Sequence, residues 1–172
     1  MPTLNGTDLG LLPTMGVGSY ASPSWLIATR RALQGGDAGP ADMEETIQDA
    51  VKMAVWDQEE AGLDVLTDGE IRRQRFLWNV VEKLSGLNMI RAPRKLGVVS
   101  YDSAPRFETT QRVSAPDGFG LADEFSYVQT LTDKPLKVCF PGPLTIALPI
   151  TLKDGYPHGD YMPLLYDLVE LI

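Results

Sequence analysis

The sequence predicts an α/β fold, in which parallel βα units form about half of a (β/α)8 TIM-type barrel. Three observations predict it. The stretch Ala61-Gly-Leu-Asp-Val-Leu-Thr-Asp-Gly-Glu70 follows an acidic amphipathic helix and reads as a glycine stop, a short buried strand and a polar turn just past the strand's carboxyl end. Strand-then-helix order recurs three or four times along the chain, which implies a parallel sheet with right-handed crossovers. A closed barrel needs about 250 residues, and 172 are present. Residues 1–172 are therefore expected to form a single partial domain, with strand edges that something must cover.

Pro13 to Ser19 reads as the first strand, with Gly16 and Gly18 permitting close approach of another backbone or a ligand. Ser24 to Leu33 has a loose apolar face and reads as a short helix, and the glycine-rich residues 34–40 as a loop. Asp42 with Glu45 three positions on suggests a capping box. Met43, Ile47, Ala50, Val51, Ala54 and Ala61 share one helical face, so a helix is expected from about Asp42 to Ala61. Gly62 is its left-handed stop, and Leu63 to Leu66 is the strand. Ile71 to Leu84 carries Phe76, Leu77, Val80, Val81 and Leu84 at helical spacing. Two short strands are expected at 98–101 and 107–113, a helix at 121–131, a turn at 132–135 and a buried strand at 136–140. An apolar run to Ile150, a polar loop and a helix from about Tyr161 complete the chain.

The composition, 44% hydrophobic and 22% charged, is that of a globular chain, and the net charge of -8 argues against nucleic-acid or anionic-membrane partners, which need basic patches. One cysteine excludes an internal disulfide, and no apolar run is long enough to span a bilayer. Met1 to Gly10 lacks the basic start and apolar core of a signal peptide, so a cytoplasmic location is expected.

Glu70 is the strongest candidate for chemistry. A carboxylate at a strand end, after a glycine, can receive the ammonium of an amino-acid-like ligand; the alternative is a salt bridge to Arg72, Arg73 or Arg75. Asp68 either shares a side with Glu70, as a carboxylate pair for acid/base work or cation binding, or is a solvated loop residue. Ser19 suits hydrogen bonding to a ligand carboxylate, or is a turn serine. Cys139 in an apolar strand reads as a small hydrophobe, and His158 as a surface loop residue. Trp25, Trp56 and Trp78 read as packing residues. The three or four nitrogen and sulfur ligands of a zinc site are not in this sequence, and neither a dinucleotide fingerprint nor a phosphate loop is present.

Three segments taken together resemble one family: Thr14-Met-Gly-Val-Gly-Ser-Tyr20; Gln58 to Arg73 with its Thr-Asp-Gly-Glu70; and Tyr127 to Lys137 with Pro141-Gly-Pro-Leu-Thr145. Their order and spacing are similar to the catalytic barrel of cobalamin-independent methionine synthases. The resemblance implies a zinc-dependent (β/α)8 barrel that activates a substrate thiol as a metal thiolate and methylates homocysteine sulfur. It places Ser19 and Glu70 on the amino-acid part of that thiol substrate. It also implies that this chain is the amino-terminal half, with zinc expected for the complete enzyme and its ligands in the later half. Pro149 stands where the folate-using members carry a tryptophan, which argues against a folate donor and leaves room for relatives alkylating another thiol such as coenzyme M.

Two other readings remain open. One is a non-catalytic or split-enzyme half-barrel that acts only after self-association or with a complementary half-barrel chain. The other is a decarboxylase of the uroporphyrinogen type, which the Gly-Glu and Gly-Pro-Leu-Thr segments fit less well.

Overall fold

A computed structural model describes residues 3–4, 7–73, 78–91 and 105–172. The chain divides into two units, residues 1–72 with 121–139, and residues 73–120 with 140–172.

The first unit opens with two short antiparallel strands, β1 (Thr3–Leu4) and β2 (Thr7–Asp8), and continues with helices α1 (Ser24–Gly35) and α2 (Pro40–Glu60). The α2 helix begins two residues before the expected Asp42. Pro40 at the first position has its φ already set for a helix, so Gly39 becomes the cap residue and Asp42 sits in the first turn. The expected Asp42–Glu45 capping box is replaced by one set three residues earlier, in which the Asp42 carboxylate accepts the Gly39 N–H at 2.7 Å. The expected face is the buried one, with Met43, Ile47, Ala50, Val51 and Ala54 inside and Val55 and Gln58 added; Ala61 is exposed. Gly62 is left-handed at φ 76, and the amides of Gly62 and Leu63 bond back to the carbonyls of Glu59 and Gln58.

Three segments then run parallel. Met15 pairs with Val65 and Leu66 with Leu136, through Val65 N–H to the Thr14 carbonyl at 3.1 Å, Leu66 N–H to Pro135 at 2.9 Å and Lys137 N–H to Leu66 at 2.8 Å. These are the expected strand positions, realised as single bridges. Helix α4 (Leu121–Gln129, after α3 of the second unit) buries Val128 into the cluster formed by Leu26, Val51, Leu66 and Ile71. Of the three tryptophans, Trp25 and Trp56 are 41% and 63% exposed, which departs from a packing role.

In the second unit the expected helix at 71–84 is shorter. Ile71 to Arg73 is a turn, α3 spans Trp78–Glu82, and residues 74–77 lie outside the described residues. Next come β3 (Ser85–Arg91) and β4 (Arg106–Ser114), antiparallel, with β5 (Ile150–Thr151) parallel to β4. β4 is the strand expected at 107–113. The strand expected at 98–101 lies outside the described residues. Within the apolar run to Ile150, Pro143–Ala147 forms a helical turn, α5, and α6 (Met162–Leu171) ends the unit. Phe107, Val113, Ile146, Ile150, Leu164 and Leu168 form the centre of its core. The described chain is thus α/β with a small mixed sheet.

Tyr156 anchors this core with a polar handle. Its buried hydroxyl donates to Asp167 at 2.6 Å and accepts the Val113 N–H at 2.9 Å, while Arg112 grips Asp167 from outside. Burial first, and then the bond to Asp167, push the hydroxyl from 10.0 up to about 12; the Arg112 guanidinium holds the Asp167 carboxyl below its ordinary 3.8. A raised phenol pKa contributes stability that is complete below pH 10 and lost as pH rises through 12, whereas the lowered carboxyl contributes stability lost as pH falls through its folded value. Tyr156→Phe is expected to cost about 1–3 kcal/mol at neutral pH by leaving the buried Val113 amide unpaired. In urea titrations the gap between parent and variant should narrow from pH 10 to 12; a constant gap would contradict the assignment.

Candidate functional site

The site is built where the carboxyl ends of the three parallel segments meet, within the first unit. Gly18, Glu70 and Cys139 converge there. A Cβ placed on Gly18 would lie 2.7 Å from Glu70 Oε1 and 2.8 Å from Cys139 Sγ, so the absence of a side chain at 18 is what admits both groups. Cys139 is half-buried and its thiol donates to the Val17 carbonyl at 3.1 Å. Lys137, two residues earlier, donates to the carbonyls of Gly16 at 2.5 Å and Val17 at 3.1 Å, tying the third segment to the first.

Ser19 is exposed at the end of the first segment. The two turns that carry Ser19 and Glu70 are joined directly, because the Tyr20 N–H donates to the Gly69 carbonyl at 2.8 Å. The structure thus brings both sequence-predicted residues to one place.

Glu70 has φ 53, the sole non-glycine residue with positive φ among those described. A left-handed L-residue costs about 1–2 kcal/mol and persists where its surroundings impose it. Here the imposing groups are visible. Asp68 Oδ1 accepts the Glu70 N–H at 3.0 Å, and Arg30 Nη2 donates to the Ile71 carbonyl at 2.6 Å just beyond. Asp68 is therefore a turn-forming residue, the simpler of its two sequence readings. The guanidinium of Arg72 forms a two-pronged pair with Glu44, at 2.8 and 2.7 Å, so of the three arginines expected as salt-bridge partners of Glu70 it is Arg72 that is committed elsewhere, while Arg73 keeps that reading and Arg75 lies outside the described residues. His158 is exposed in the loop before α6.

Two residues of the site that the sequence reading missed are Thr67 and Gln58, both buried polar residues. Gln58 on α2 brackets the backbone of Thr67, donating from Nε2 to the Thr67 carbonyl at 3.0 Å and accepting the Thr67 N–H on Oε1 at 3.0 Å. The Thr67 hydroxyl then donates to the Gly18 carbonyl at 2.9 Å and accepts the Gly69 N–H at 3.1 Å. A polar residue on the α2 face that packs inward, four positions past Ala54, was the available signal for Gln58.

Among the described residues no group of three or more His, Cys, Asp or Glu is arranged to hold a metal ion. The described residues thus hold no complete ligand set for a catalytic zinc, and no chemical step is assigned to one. No helix among the described residues is long and apolar enough to cross a membrane.

Such an arrangement, an α/β unit with a serine and a strained glutamate at adjoining strand ends, lies at the carboxyl edge of parallel strands, the place where α/β proteins carry their ligand sites. Residues 12–161 match the family described as the cobalamin-independent synthase catalytic domain, and the chain belongs to that family. It is 36% identical over 143 residues to the methionine synthase of Sulfolobus acidocaldarius, covering 81% of this chain and 40% of the relative. Against the methionine synthase of Sulfurisphaera tokodaii it is 34% identical over 141 residues, again 81% and 40%. The chain thus spans about 40% of the length of these curated relatives. Among solved structures it resembles a B12-independent methionine synthase from Shewanella sp. W3-18-1, in complex with selenomethionine. The TM-score is 0.70 at 24% identity, over 94% of this chain and 46% of that one, a likeness of fold.

Proposed function

We propose that this chain is the amino-terminal half of a methionine-synthase-like thiol alkyltransferase, transferring a methyl group to homocysteine sulfur. In this reading residues 1–172 are one partial domain, and the three parallel segments are strands of half a (β/α)8 barrel. Zinc of the complete enzyme is held by residues outside this sequence. The observation that carries the proposal is the convergence of the Ser19 and Glu70 turns around Gly18 in a chain of this family. The Glu70 carboxylate receives the substrate ammonium, and the Ser19 hydroxyl and neighbouring amides receive its carboxylate, leaving the thiol to project from the strand ends.

Calorimetric titration of the purified chain tests this. L-homocysteine should bind at least about tenfold more tightly than coenzyme M, which has a thiol but no ammonium, because a charge-assisted hydrogen bond is worth about 1.5–3 kcal/mol. Equal affinities, or no homocysteine binding, would contradict the assignment; preference for coenzyme M would move the substrate to the other branch of thiol alkylation.

A second reading, a half-barrel that acts only after association with itself or a complementary chain, is favoured by one observation. Met162, Tyr166 and Val169 form a stripe along α6 that is 50%, 63% and 58% exposed. Sedimentation should then show dimers or larger species if the chain pairs with itself, and a monomer at high concentration would end that self-association.

A further inference from the structure

We propose that Thr67, held by Gln58, is a positioning residue that fixes the Ser19 and Glu70 turns at the separation a zwitterionic amino-acid group requires. The inference rests on the homocysteine reading for its ligand, and on separate geometry for its mechanism. Each of the two turns presents one backbone group to the Thr67 hydroxyl: the Gly18 carbonyl, immediately before Ser19, and the Gly69 amide, immediately before Glu70. One hydroxyl therefore donates to the first turn and accepts from the second, so neither turn shifts without breaking a bond to the other. Thr67 is only 2% exposed, and a buried donor or acceptor stripped of its partner is not re-solvated. The direct bond from Tyr20 N–H to the Gly69 carbonyl lies beside this bridge and closes a second link between the same turns.

The hydroxyl can bridge both turns only if its own backbone is fixed, and that is the part Gln58 plays. The segment containing Thr67 meets its parallel neighbours through the bridges at Val65 and Leu66, two and one residues earlier. At Thr67 the Gln58 amide takes both the N–H and the carbonyl, as a strand partner would. Gln58 is itself anchored by a bond from Nε2 to the Ala54 carbonyl at 2.7 Å, one turn back on α2. Helix α2 thereby sets the height of the Thr67 hydroxyl, and the hydroxyl sets the two ligand-bearing turns.

Thr67→Val removes the hydroxyl while keeping shape, and Thr67→Ser keeps the hydroxyl while losing a methyl. In calorimetry with L-homocysteine, T67V should bind at least about tenfold more weakly than the parent and T67S within about threefold, since only the hydroxyl touches the two turns. Equal loss in T67V and T67S would assign the residue to packing and overturn the proposal, as would an unchanged T67V. Amide hydrogen exchange separates this from the ligand reading: Gly69 and Tyr20 amides should exchange together, at least about tenfold faster in T67V and unaltered in T67S. If the parent does not bind L-homocysteine, the functional reading falls and the exchange result alone decides the bridge. Should T67V not fold, the parent decides it: a slowly exchanging Thr67 hydroxyl proton with a cross-peak to the Gly69 amide is expected, and its absence overturns the bridge.

Discussion

Glu70→Gly is expected to relieve the backbone strain at position 70 and to remove the chain's ligand recognition in the same step. At φ 53 a glutamate pays about 1–2 kcal/mol that glycine does not, partly offset by the larger conformational freedom glycine has when unfolded. The Asp68 carboxylate still accepts the amide of residue 70, because that bond belongs to the backbone. Homocysteine affinity is expected to fall roughly 10- to 100-fold as the charged contact is lost. Glu70→Gln keeps the strain and the shape and loses the charge, so its affinity should fall while the backbone at position 70 stays left-handed. Strain retained at a site and released by a residue that cannot do the site's chemistry is the signature of a functional conformation. A Glu70→Gly chain that binds homocysteine as the parent does would refute the role of this residue.

The largest loss of stability expected in the first unit comes from Gly69→Ala. Gly69 is left-handed at φ 69, and an added Cβ would stand 2.8 Å from Tyr20 Cβ and 3.1 Å from Ala54 Cβ. Both obstacles are the rooted ends of side chains, so they yield only if the Ser19–Tyr20 turn or α2 moves. Overpacking of this kind costs about 1–3 kcal/mol and the backbone conformation about 1 more. A total of about 2–4 kcal/mol should lower the melting temperature by roughly 5–15 °C in a chain of this size. The comparison is Gly62→Ala, also left-handed at φ 76 but with nothing within 4 Å of the added carbon, which should show the backbone part alone. Equal losses in the two variants would mean that Gly69 is not the close contact described here.

The elements that were legible in the sequence are those whose signal is local. The α2 face, the Gly62 stop, the strand positions at 13–19, 63–66 and 136–140, and the helices at 121 and 161 follow from periodicity and punctuation within about twenty residues. The start of α2 moved from Asp42 to Pro40 because a proline at the first helical position competes with a downstream side-chain cap, and both groups are used. β3 was missed because its Ser-Gly-Leu-Asn-Met-Ile-Arg sequence is mostly exposed and has no buried alternation; it exists through pairing with β4 across fifteen or more residues of sequence. The run to Ile150 hid α5 because Pro143 after Gly142 starts a helix that an apolar pattern alone does not reveal.

The site was legible in its outer residues and hidden in its inner ones. Ser19 and Glu70 stand at strand ends, where polar residues after glycine are conspicuous. Thr67 reads as one more β-branched strand residue, and Gln58 as one more polar residue near a helix end. Their roles come from partners nine and forty-nine positions away, which no local pattern encodes. Cys139 lies three residues past the Leu66–Leu136 bridge and outside any strand, and its thiol stands beside the Gly18 position because that glycine leaves the space open.

The measurement that tests the central claim most directly is an amide NMR titration of the isotopically labelled chain with L-homocysteine. The account predicts shifts concentrated at residues 17–20 and 67–71, weakened in Glu70→Gln and in a Ser19→Ala chain. Shifts confined to the second unit, or shifts around Ser19 and Glu70 that both variants leave unchanged, would contradict it.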